Sequence, residues 1–218
     1  MKSLTRFRST LLATVAVTLA VFAIAASWAE LPGGAFWFWL AACLAGELLW
    51  VRLQLGRATL SMASACNFAA MLLLPRAEAM VAVAVAGLVA EALVIRKPPV
   101  RFLFNAAQGA LAIGAAGLVY HALAGPGVAL AAVFTQAGVA PLIAAAATYA
   151  LINTGSVSLA VGLTEHVSPW NAWRANFGSM YELLSNSALF SLGALLAALY
   201  SLAGPLGTVL VSLPLLLA

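Results

Sequence analysis

Eight polar or acidic side chains stand inside runs of apolar residues: Glu47, Asn67, Glu91, Asn105, Gln108, Asn153, Glu182 and Asn186. A carboxylate can hold a cation or a proton, and an amide presents both donors and acceptors. Asn105 and Gln108 are spaced i, i+3, and Glu182 and Asn186 are spaced i, i+4. Each pair therefore shares one face of a helix. The stretch RKPPVRFLFNAAQGALAIGAAGLVYHALAG (96–125) shows what such placement demands. Three cations and a Pro-Pro pair lead into an apolar run with two amides one turn inside it. In hydrocarbon those amides must face neighbouring helices, where the Glu residues of those helices are natural partners. Two uses fit the residues. One is interhelical bonding that fixes register. The other is a polar cavity that binds a small molecule or ion, or couples a signal across the membrane.

Other chemistry is poorly represented. Cys43 and Cys66 both lie in apolar segments without CxxC spacing and read as small buried hydrophobes. His121, beside Tyr120 at the end of an apolar run, reads as a surface group, and Glu78 beside Arg76 as a solvated pair. The chain has no GxSxG, no HExxH and no phosphate-cradling glycine loop. It also lacks paired carboxylates on one helix, and its loops are too short to fold a catalytic domain. The expectation is a protein that is not an enzyme, holds no metal and needs no cofactor.

The elements that position these residues follow from composition. Of 218 residues, 65% are hydrophobic and only 7% charged, and the mean hydropathy is +1.07. A soluble domain carries roughly a quarter charged residues. This chain cannot cover a water-facing surface, so its partner is the lipid bilayer. The pI near 9.5 does not point to nucleic acid, because the cations cluster between apolar runs as topology signals do. Continuous apolar runs argue for helices over a barrel, whose strands alternate.

A helix needs about 20 apolar residues to cross the bilayer core. Eight segments are candidates: Leu11–Ala29, Ala35–Val51, Ala58–Leu74, Ala77–Ile95, Phe102–Leu123, Gly138–Leu163, Tyr181–Leu202 and Pro205–Ala218. The third is short and rich in Ser and Thr, and so reads as tilted, broken or re-entrant. The first has the basic start and small-x-small end (Ser27-Trp28-Ala29) of a signal peptide, but its length favours a retained span. The eighth ends after a short run with no polar flank, which suggests a chain that continues. With the N-terminus inside, Lys2, Arg6, Arg8, Arg52, Arg57, Arg96, Lys97, Arg101 and Arg174 fall on the cytoplasmic side, and Arg76 alone falls outside. That topology gathers most of the intramembrane polar residues toward the cytoplasmic half. SPWNAWRANFGSM (168–180) reads either as an interfacial helix, with Ser168 as N-cap and Pro169 at its first position, or as an aromatic-belt loop. Trp170, Trp173 and Phe177 share its apolar face.

The order of features resembles a known arrangement. A basic loop leads into FNAAQGALAIGAAGLVYHALAG, and a span with YALINTGSVSLAVGL follows. SPWNAWRANF, YELLSNSALFSLGALLAALY and AGPLGTVLVSLPLLLA complete the series. From about residue 45 to 218 this resembles the N-terminal multi-span membrane region of bacterial signalling proteins with HD-GYP or GGDEF domains, the modules of cyclic-di-GMP turnover. FNAAQ is its most specific run. The resemblance implies an input domain with a cytoplasmic output domain in the same chain, and homodimers are common in such systems. Neither output domain lies in these residues, and a chain with two His and no Asp cannot supply an HD metal site. A looser similarity links Gly/Ala-rich bundles to the substrate-binding membrane subunits of energy-coupling-factor transporters, which bind nearer the outer face. A structural anchor is a third class.

The sequence thus predicts an all-α polytopic transmembrane helix bundle of about seven to eight spans in a bacterial inner membrane. It is a single domain over residues 1–218, with one interfacial helix and a cytoplasmic N-terminus. Glu47, Glu91, Asn105, Gln108, Asn153, Glu182 and Asn186 are its candidate ligand-binding or coupling residues.

Overall fold

The structure, a computed structural model, describes residues 2–28, 32–52, 59–125 and 135–217. Where hydrocarbon replaces water, the backbone must satisfy its own hydrogen bonds, and helices do this within one segment. The described chain accordingly forms eight α-helices: α1 (Lys2–Ala25), α2 (Gly34–Leu48), α3 (Ala63–Leu73), α4 (Arg76–Val89), α5 (Pro99–Ala124), α6 (Gln136–Glu165), α7 (Pro169–Phe177) and α8 (Met180–Leu217). Proline sets three starts: Pro75 precedes α4, and Pro99 and Pro169 open α5 and α7. Each lacks only an N–H that a first turn leaves unpaired anyway. Ser168 stands at the N-cap of α7 in extended backbone, but its side chain makes no capping bond.

Among the described residues five helices are long and apolar enough to cross a bilayer by length and composition, fewer than the seven or eight expected. Two causes account for the difference. Segments two and three yield helices of only 15 and 11 residues, α2 and α3. Segments seven and eight run on as one helical element, α8, broken at Gly204 with φ 68° and ψ −170°. A glycine takes such a backbone angle without the clash a Cβ would bring. Leu192 and Leu196 before the break share a cavity with Thr208 and Ser212 after it, beside Trp39 and Gly46 of α2. The limb after Gly204 therefore doubles back along the bundle.

A second departure lies between α2 and α3. The ends of segments two and three were expected to be helical, yet β1 (Trp50–Arg52) and β2 (Thr59–Ser61) pair antiparallel. Val51 stands opposite Leu60 and Arg52 opposite Thr59. Trp, Val and Thr favour strands, and two arginines with a glycine between them end the apolar helical pattern. The fold is a helix bundle with one small hairpin.

The short α3 is the most buried element. Ala65, Phe68, Ala69 and Ala70 are wholly buried, and α2, α4, α5 and α8 surround it. Small residues bring the backbones together, as in membrane helix packing generally. A Cβ on Gly46 would lie 3.0 Å from Ala63 Cα, and one on Gly193 would lie 2.6 Å from the Ala65 carbonyl oxygen. The second helix pack joins α5 to α1, α4 and α6. There Ala13, Ala16 and Ala20 of α1 rest against Phe104, Ala107 and Ala110, so the first segment packs as part of the bundle. Leu11, Leu19, Phe22, Leu118, Leu151 and Leu202 point outward and are mostly exposed. So large an apolar surface is that of a lipid-facing protein.

Candidate functional site

Hydroxyl side chains in these helices find partners close at hand. In α6, Thr148, Thr154, Ser158 and Thr164 each donate to the carbonyl one turn earlier, at 2.7–2.9 Å. Amides and carboxylates gain more by pairing across helices, and they do so around one cavity.

That cavity holds about 220 Å³. Glu47 reaches it from α2, Ser64 and Asn67 from α3, and Glu91 from the π turn (Ala90–Val94) that follows α4. Asn105 and Gln108 line it from α5, and Tyr149 and Asn153 from α6. Five of the seven predicted site residues therefore meet at one place, with Asn67 beside them. Ser64 and Tyr149 were not singled out in the sequence. Their spacing was informative, since Ser64 lies i, i+3 from Asn67 and Tyr149 i, i+4 from Asn153. Both line the cavity beside Asn67.

Glu91 is the most connected member. Asn105 Nδ2 donates to both of its carboxylate oxygens, at 2.9 Å each. Lys97 Nζ donates to Oε1 as an ion pair, with the lysine side chain about a third exposed (31%) and the glutamate 11%. Local backbone makes this possible. At Ala90–Val94 the helix widens into a π turn, and Ile95 N–H donates to the Ala90 carbonyl at 2.9 Å. Arg96 then takes a left-handed conformation (φ 59°), which lets Lys97 N–H reach the Glu91 carbonyl at 2.9 Å. Backbone and side chain of Lys97 thus both close on Glu91. π turns occur mostly as single-turn bulges and often at functional sites.

The second bridge joins α5 to α6, where Gln108 Nε2 donates to Asn153 Oδ1 at 2.9 Å. One residue on, Thr154 Oγ1 accepts from Trp173 Nε1 of α7 at 3.0 Å. The rings of Trp170 and Trp173 stack, with centroids 5.3 Å apart and planes 11° from parallel. Glu47 faces Glu91 across the same cavity lining.

Glu182 and Asn186 do not join the cavity. α8 becomes buried only from Leu189 onward, and both residues lie before that point. Glu182 sits in the first turn, its N–H donating to Ser179 Oγ at 3.1 Å. Asn186 lines a separate cleft of about 470 Å³ with Thr154 and Trp173. Glu78 departs from the solvated pair expected of it: at 8% exposure it is buried in the first turn of α4. A carboxylate there gains from the helix dipole. Cys43 is fully buried as a free thiol, and His121 is exposed with its ring edge-on to Tyr120.

No curated protein and no solved structure matches the chain. A family model described as MASE9 matches residues 4–218, nearly the whole length. An apolar bundle built around a shared polar cavity is the architecture on which that match falls, and the chain belongs to the MASE9 family of membrane-associated sensor domains.

Proposed function

We propose that this chain is the input domain of a bacterial signalling protein of the cyclic-di-GMP type. It relays a signal from the inner membrane to a cytoplasmic output domain, HD-GYP or GGDEF in kind, in the same chain. It carries no catalysis of its own. The observation that supports this reading is the cavity whose walls come from α2, α3, α4, α5 and α6. Whatever occupies that space changes the packing of five helices at once, and a ligand shifts a conformational equilibrium only through such differential contacts. A route outward exists in Gln108–Asn153 and the adjoining Thr154–Trp173 bond, which together connect α5, α6 and α7. α7 leads directly into α8.

The test uses a protein in which this domain is joined to its output domain. Compared at matched membrane abundance, Glu91→Ala and Asn105→Ala are expected to change cyclic-di-GMP output, and Leu118→Ala on the lipid face to leave it alone. Unchanged output in both cavity variants would remove the coupling role.

A further inference from the structure

The cavity carries a chemical bias toward acceptors. Two carboxylates, Glu47 and Glu91, face it, and the cation Lys97 is engaged with Glu91. Two further acceptors are buried without a hydrogen-bond partner among the described residues: Asn67 Oδ1 and Gln108 Oε1. Asn67 is 4% exposed and Gln108 8%. Gln108 spends its amide N–H on Asn153. Orphaned acceptors at this depth are costly, so the unmet demand of the site is for donors. An anion would face two carboxylates. Among the described residues no group of three or more His, Cys, Asp or Glu is placed to hold a metal ion. At about 220 Å³ the space is below the roughly 300–1,000 Å³ of drug-sized pockets.

We propose that the cavity binds a small organic cation rich in N–H donors, an amine or a guanidine. Its charge sits between Glu47 and Glu91, and its N–H groups reach Asn67 Oδ1 and Gln108 Oε1. The inference rests on the input-domain reading above and names the class of its ligand.

The experiment follows thermal unfolding of the 218-residue chain in nanodiscs by tryptophan fluorescence. Methylguanidinium and methylammonium are titrated at constant ionic strength. Tetramethylammonium, acetamide, calcium and magnesium serve as comparison ligands. Saturable stabilisation by methylguanidinium or methylammonium, with none from the comparison ligands, is the expected result. Asn67→Leu and Gln108→Leu should each weaken that binding by roughly tenfold to a hundredfold. Gln108→Glu, which keeps an acceptor and adds charge, should retain or tighten it, and it answers for a leucine variant that fails to fold. Equal stabilisation by tetramethylammonium, acetamide or a divalent ion overturns the proposal, as does no response to either donor cation. Binding is read on the domain alone, so a negative result here leaves the relay to be judged by output in the longer protein.

Discussion

Glu91 accepts from side chains on two sides, and each contact has a different weight. The Asn105 amide bridges both carboxylate oxygens inside the bundle, whereas Lys97 approaches from a partly exposed position. Exposed ion pairs contribute little, while a buried acceptor stripped of its donor loses about 1–3 kcal/mol. Asn105→Leu is therefore expected to destabilise the domain by about 1–3 kcal/mol, and Lys97→Met by less, in unfolding measured in detergent. Combining Asn105→Leu with Glu91→Leu should cost less than the two singly, because the pair vanishes together. Residues of this type were legible in sequence, since an amide or carboxylate within an apolar run must find a partner elsewhere. Most threonines and serines gave no such signal, because their hydroxyls donate to their own helix. Glu182 and Asn186 looked the same as Asn105 and Gln108 in sequence. Only the point at which α8 enters the core, Leu189, separates the two pairs.

At the scale of elements, α3 shows how much packing can override length. Eleven residues span about 16 Å, roughly half the bilayer core, yet this helix is the hub of the first layer. Its contact with α8 depends on Gly193, where an added Cβ would lie 2.6 Å from a backbone oxygen and 3.0 Å from Phe68 Cβ. Backbone cannot yield as a flexible side chain does. Gly193→Ala should already lower thermal stability by about 1–3 kcal/mol, and Gly193→Leu should accelerate limited proteolysis. Gly155 faces open space, so Gly155→Ala should leave both measurements unchanged or improved. The long helices were readable from apolar length, whereas α7 was legible only as one of two alternatives, a helix or a belt loop. The hairpin was not, because its strands of three residues merge into the apolar ends of neighbouring segments. The π turn was equally hidden: nothing in AEALV distinguishes it from ordinary helix.

For the whole molecule, the lipid-facing side chains define the surface, and the distribution of Lys and Arg sets the expected direction of insertion. An impermeant maleimide applied to intact cells should label Arg76→Cys and spare Arg101→Cys, in a background with Cys43 and Cys66 replaced by alanine. The opposite pattern would invert the molecule and place the Lys97 end of the cavity toward the outside. Direction matters because the π turn at Ala90–Val94 has a kinematic side. A π turn that tightens to α moves the residues beyond it like a screw, by about 100° of rotation and 1.5 Å of travel for the one residue taken up. Lys97 and Pro98 lie just past that thread, and α5 begins at Pro99. In the relay proposed above, tightening this turn would give a signal at Glu91 one discrete step, set by the pitch of the polypeptide itself.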